Sequence, residues 1–237
     1  MMIKSELLFH AGFDRTILMQ GHRFPISINF ESVPHLLIVA PSGSGKTYLL
    51  RLLLGQLAQK PLRLILADYK GIDFPFLNDC PFYYRHSAVE QALNLTYQEM
   101  QNRMASPSGK DHPMVLCFDE WSGFLASLAK KEQEAAKEKM SSMLMLGRGV
   151  KVFVIMALQR ADASYITGRD NFGNAIGLGR LSTESARMLF PDDIDEIQAC
   201  PRGQGYLRTD GRPLQTLVVP RIRNLIKNQN EIKHGLC

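Results

Sequence analysis

Long apolar runs are missing from this 237-residue chain. The longest, Leu36 to Ala40 and Val152 to Leu158, fall far short of the roughly 20 residues that carry a helix across a bilayer, so no membrane span is expected. A basic segment leading into an uninterrupted apolar one is also missing from the N-terminus, where Glu6, His10 and Asp14 intervene; this argues against a cleaved signal peptide. Cysteine is scarce. Cys80, Cys117, Cys200 and Cys237 form no pair at metal-ligand or redox spacing, and a reducing cytoplasm is the expected setting. Charge of one sign does not dominate: a net charge of +5 permits nucleic-acid binding without requiring it. Internal repeats and long low-complexity segments are absent too. What the chain does have, 45% hydrophobic and 22% charged residues, suits one sizeable core, and a single domain over residues 1–237 is expected.

Short apolar runs alternate with helical patterns, as in a parallel sheet covered on both faces, so the class is α/β. His35 to Val39, Leu62 to Ala67, Met114 to Phe118 and Lys151 to Ala157 read as strands. Gly45 to Gln59, Ser87 to Met104 and Ser122 to Leu146 read as the intervening helices. The cluster Ser106 to Pro113 reads as a loop. Near the end, Gly205 to Arg208 and Pro213 to Val219 flank Asp210-Gly211, which predicts a β-hairpin finishing the sheet. The basic stretch Arg221 to Lys227 reads as a tail presenting an amphipathic helix, with DNA binding as the other reading.

The chemistry concentrates in three places. Ala40-Pro41-Ser42-Gly43-Ser44-Gly45-Lys46-Thr47, between an apolar strand and the helical run from Tyr48, has the setting of a phosphate-binding loop. Gly43 and Gly45 let backbone N–H groups converge on phosphate oxygens at a helix N-terminus. Lys46 is expected to reach the β- and γ-phosphates of ATP and Thr47 to ligate Mg2+. The motif's first glycine is replaced by Ala40. Val115-Leu116-Cys117-Phe118 then delivers Asp119 and Glu120 to a strand end, where unpartnered carboxylates would be costly unless used: Asp119 for the metal, Glu120 as general base for an attacking water. Ile155 to Leu158 leads to Gln159 at the same end of the sheet, placed to position the water or sense the γ-phosphate.

Pro34 to Ala40 running into that loop, Asp68-Tyr69-Lys70-Gly71, Gly147-Arg148-Gly149-Val150, Gln159-Arg160 with Tyr165 to Gly168, and Phe172 to Gly179 together resemble the motor domain of the FtsK/SpoIIIE DNA translocases over about residues 20–220. The resemblance implies a RecA-like P-loop fold with a mostly parallel sheet, a homo-oligomeric ring that is usually a hexamer, ATP sites at subunit interfaces and double-stranded DNA in the centre. It implies an arginine acting across the interface, and Arg148 is the first candidate, with Arg180 second. For DNA the first candidate is the stretch Arg160 to Arg169, polar and flanked by the two arginines. The roles of Asp68 and Lys70 stay open.

Trp121-Ser122-Gly123-Phe124 departs from the acidic continuation of the large cell-division members, and no anchor, long linker or C-terminal winged helix is expected. This points to a minimal motor of conjugative transfer, plasmid maintenance or viral packaging, recruited by a relaxase, initiator or membrane partner. The rival reading is a nucleotide-gated assembly module that binds ATP and a partner without moving DNA. A P-loop kinase is disfavoured by Asp119-Glu120, which suits water activation.

Overall fold

The computed structural model describes residues 7–107 and 112–237. Part of the loop expected at Ser106 to Pro113 therefore lies outside the described residues, as does Glu6. Ten strands form one sheet: β1 (Leu8–Asp14), β2 (Pro25–Asn29), β3 (Leu36–Val39), β4 (Arg63–Asp68), β5 (Tyr83–Arg85), β6 (Met114–Asp119), β7 (Val152–Leu158), β8 (Asn174–Leu178), β9 (Gln204–Thr209) and β10 (Gln215–Val218). Their order is β2-β1-β10-β9-β8-β3-β7-β6-β4-β5. The six strands from β8 to β5 are parallel, and the four from β9 to β2 are antiparallel.

Every residue of β3, β6 and β7 is buried, because successive side chains enter two separate cores. Leu36, Ile38, Val115, Cys117 and Ile155 face α2 (Lys46–Leu57) and α7 (Leu225–Leu236). Leu37, Val39, Leu116, Phe118 and Val154 face α3 (Val89–Ala105), α4 (Trp121–Ala126) and α5 (Lys130–Leu146). Burying a side chain of this size stabilises the fold by about 2 kcal/mol, so the continuous apolar runs are the signature of a sheet covered on both faces. The mixed α/β, RecA-like architecture and the hairpin of β9 and β10 agree with the sequence reading.

Four details depart from it. The helix expected over Ser122 to Leu146 is two: Ser127 Oγ donates to the Phe124 carbonyl at 2.7 Å, and Glu132 Oε2 accepts from the Ala129 N–H at 3.0 Å, so one helix closes and another opens. The hairpin does not finish the sheet, since β1 pairs with β10 and β2 covers β1. The fold extends past the stretch of resemblance, about 20–220, at both ends, because β1 precedes it and α7 follows it. The segment from Arg221 does carry a helix, but α7 packs on its own chain instead of being presented to a neighbour. Ile232 and Leu236 are buried, Asn228 Nδ2 donates to the Arg51 carbonyl at 3.1 Å, and the fold joins Cys80 to Cys237 in a disulfide across 157 residues. Spacing along the chain could not show that pair; Cys117 and Cys200 are free.

His35 marks the amino end of β3. It is buried in the left-handed region (φ 60°), and its Nδ1 accepts from the Val154 N–H at 3.0 Å, which places the proton of the neutral ring on Nε2. Burial pushes its pKa down to about 4, and the Leu144 carbonyl offsets only part of this.

Candidate functional site

Parallel strands bring their carboxyl ends to one edge, and the register there is close: Asp68 lies beside Asp119, Asp119 beside Ala157, and Val39 beside Leu158. The loop from Ala40 to Gly45 rises from this edge into α2. Gly43 (φ 82°) and Gly45 (φ 106°) adopt backbone conformations that a side chain strongly disfavours, which is the physical reason for glycine at both positions. The loop is braced from the antiparallel half, where the Gly203 N–H donates to the Ser44 carbonyl at 2.9 Å. Farther along, Tyr48 Oη accepts from the Ile222 N–H.

Four charged side chains meet beneath the loop. Lys46 Nζ donates to Asp119 Oδ1 and, at 3.0 Å, to Glu120 Oε2. Lys70 Nζ approaches the same Glu120 oxygen at 3.0 Å. Glu120 holds a left-handed backbone (φ 65°, ψ 44°) at the start of α4, an uncommon conformation for glutamate that the site imposes. Ser42 Oγ donates to Gln159 Oε1 at 2.9 Å, and the Gln159 amide helps to hold the charge on Glu120.

Burial and pairing compete in this cluster. Burial pushes the Asp119 carboxyl up to about 6, and Lys46 reverses only part of that rise. For Glu120 burial acts in the same sense, but Lys46, Lys70 and Gln159 outweigh it and hold the group below its ordinary value. Lys46 is pulled down by burial and raised, on balance, by Asp119 and Glu120. The site thus keeps an ammonium and a carboxylate charged side by side.

The donor set fits magnesium. Asp119 Oδ2 is buried and has no hydrogen-bond partner, and carboxylate oxygens of Asp68, Asp73 and Asp119 lie within 4.8 Å of one another. Asp68 is already engaged by the Gly71 N–H and the Tyr83 hydroxyl, each at 3.0 Å. Hard oxygen donors around one unpartnered carboxylate oxygen suit a small divalent cation.

A cavity of about 350 Å³ opens at the phosphate loop, lined in part by Pro41, Ser42, Gly43, Gly45, Thr47 and Tyr48; Asp119 and Glu120 do not line it and reach it only through Lys46 and Lys70, which do. Lys46 and Gln159 line it as well, while the Ser44 side chain turns away toward Gly179. A larger groove, about 570 Å³, runs along α7 and lies apart from this chemistry. Lys70, Asp73 and Arg202 complete the wall of the smaller cavity. Lys70 and Asp73 follow a strand at its carboxyl end, the same positional cue that singles out Gln159. Nothing local marks Arg202, which reaches the loop only because β9 packs beside β8.

The remaining sequence candidates lie elsewhere. Arg148 sits in a 3₁₀ turn before the amino end of β7, whereas the phosphate loop follows the carboxyl end of the parallel neighbour β3; a seven-residue strand separates those edges by roughly 20 Å. Arg148 is exposed and donates to the Glu31 carbonyl at 3.2 Å. Arg160 flanks the phosphate loop with Arg180, around a cavity of about 430 Å³, and pairs with Glu184 at 2.5 Å. Arg169 is exposed, 3.5 Å from Asp170.

Comparison with known proteins agrees with this geometry. The family model described as "Helicase HerA, central domain" matches residues 16–142, more than half of the chain. FtsK domain-containing protein YdcQ of Bacillus subtilis (strain 168) is 28% identical over 200 residues, covering 76% of this chain and 42% of YdcQ. The chain therefore spans less than half the length of that relative. Two solved structures share the fold: the pCW3 conjugation coupling protein TcpA in its monomer form with ATPgS (TM-score 0.72, 17% identity, 97% of this chain and 70% of that one) and the cytoplasmic domain of the Thermomonospora curvata type VII secretion ATPase EccC (TM-score 0.70, 19% identity, 98% and 31%). Among the described residues no helix is long and apolar enough to cross a membrane.

Proposed function

The chain belongs to the HerA/FtsK family of P-loop ATPases, and on that footing we propose that it hydrolyses ATP with Mg2+ to drive double-stranded DNA through a ring of its own copies. The observation that carries the hydrolytic part is the grip of Lys46, Lys70 and Gln159 on Glu120, a base held beside the nucleotide cavity. Bound magnesium would supply charge neutralisation for the phosphate oxygens. The N–H groups of the phosphate loop and the N-terminus of α2 bind the phosphates. Lys46 exchanges its carboxylates for the β- and γ-oxygens, while the Thr47 hydroxyl and Asp119 Oδ2 would hold the cation. Glu120 accepts the proton of the attacking water, and Gln159, oriented by Ser42, positions that water or senses the γ-phosphate.

Arg148 is too far from its own phosphate loop to act there, so its proposed role is on a neighbour's nucleotide in the ring. Arg148→Ala should retain nucleotide binding and lose steady-state turnover by about 1000-fold; unchanged turnover would reject the assignment. Arg160 and Arg169 are the proposed contacts to DNA phosphates, acting without base recognition. We place the protein in the cytoplasm, where Cys80 and Cys237 would be held as a reduced pair, serving conjugative, plasmid or viral DNA movement with a recruiting relaxase, initiator or membrane partner. YdcQ's FtsK domain and TcpA's part in conjugation coupling support the DNA cargo.

ATP turnover with and without linear double-stranded DNA, together with displacement of a triplex-forming strand, tests the reading. Stimulated turnover and ATP-dependent displacement are expected. Turnover indifferent to DNA, with no displacement, would favour a nucleotide-gated assembly module instead.

A further inference from the structure

We propose that Lys70 is the positioning residue that keeps Glu120 in place beside the nucleotide cavity once Lys46 has turned to the phosphates. The inference rests on the hydrolytic reading above and adds a residue to it.

Two ammonium groups share one oxygen. Glu120 Oε2 lies 3.0 Å from Lys46 Nζ and 3.0 Å from Lys70 Nζ. The two lysines differ in what else they can reach. Lys46 begins the helix that follows the phosphate loop, its side chain is only 8% exposed, and its ammonium also holds Asp119. A triphosphate in that loop offers it several charged oxygens, so Lys46 is the partner Glu120 loses on nucleotide binding. Glu120 would then be a largely buried carboxylate next to a polyanion, where repulsion and the cost of burial both turn it away.

Lys70 is placed to prevent this. Its loop is tied to the sheet on both sides: the Tyr69 N–H donates to the Asp119 carbonyl at 3.3 Å, and the Gly71 N–H donates to Asp68 Oδ1 at 3.0 Å. The Tyr69 ring packs edge-on against Phe124 of α4, the helix that Glu120 begins. The loop carrying Lys70 and the residue it holds are thus anchored to the same strand end. Lys70 also stands in the wall of the nucleotide cavity, so it can stay on Glu120 when a nucleotide enters. Gln159 beside them is neutral, so once Lys46 has turned away Lys70 is the positive charge that remains on Glu120.

The test is steady-state ATP hydrolysis in the presence of DNA, with separate measurement of nucleotide binding, for the wild type, Lys70→Ala, Lys70→Arg and Glu120→Gln. Lys70→Ala should lower kcat about 10- to 100-fold, the size expected when a reacting group is displaced by about an ångström. KM for ATP should move by less than about threefold, and Lys70→Arg should recover most of kcat. In the Glu120→Gln background, adding Lys70→Ala should cost no further turnover, because its partner is already gone. Lys70→Ala with wild-type kcat would overturn the inference while leaving the hydrolytic reading intact. A loss falling on KM and binding would overturn it too, making Lys70 a phosphate ligand. A wild type without ATP turnover would overturn both.

Discussion

On one side of the β8–β9 seam, six parallel strands carry Ala40, Asp68, Asp119, Gln159 and Gly179 to a common edge; on the other, four antiparallel strands carry mostly structural residues. The parallel half is buried on both faces and holds the charged cluster. The antiparallel half alternates, as in β1, where exposed Leu8 and His10 flank buried Phe9. Its contribution to the site is support, through Gly203 against Ser44 and Arg202 at the cavity wall. Chemistry therefore sits where strand direction gathers loops, and the second half of the sheet braces it.

If that division is right, damage to the seam should be the most severe. A side chain on Gly205 would collide with the Gly177 carbonyl and lie 2.9 Å from Leu178 Cα, both backbone atoms of the adjoining strand. Gly205→Val should destabilise the protein by about 3 kcal/mol or leave it insoluble, as read by denaturant unfolding. Wild-type stability would mean that the two halves are not rigidly joined.

A smaller effect concerns the opposite edge of the parallel half. His35 is held neutral, with its pKa lowered to about 4 from an unfolded value near 6.5. Its contribution to stability is complete above pH 6.5, is lost as pH falls from there to about 4, and changes little below that, since the unfolded chain takes up the proton first. By pH 5 the loss should be about 2 kcal/mol. His35→Asn keeps an acceptor and tolerates the left-handed backbone, so it should flatten the dependence of Tm on pH across that window. An unchanged slope would assign the acid sensitivity elsewhere.

The same division explains what could be read from the sequence. β3, β4, β6 and β7 stand out because double-sided burial demands unbroken apolar runs, and the nucleotide motifs stand out because each ends such a run. β1 and β2 do not: one exposed face breaks their patterns, and pairing to β10 depends on residues more than 180 positions away. The Cys80–Cys237 pair and Arg202 escape notice for the same reason. Lys70 was visible as a residue but not as a partner of Glu120, because only the adjacency of β4 and β6 brings the two together. Arg148 illustrates the reverse: its surrounding motif is recognisable, yet the fold puts it at the edge remote from its own phosphate loop.

The central claim is that Glu120, held by Lys46, Lys70 and Gln159, activates water against a bound nucleotide. Single-turnover hydrolysis of ATP by Glu120→Gln, beside an equilibrium measurement of nucleotide binding, tests it most directly. The account predicts affinity within about threefold of wild type and a chemical step at least about 100-fold slower; hydrolysis at the wild-type rate would contradict it.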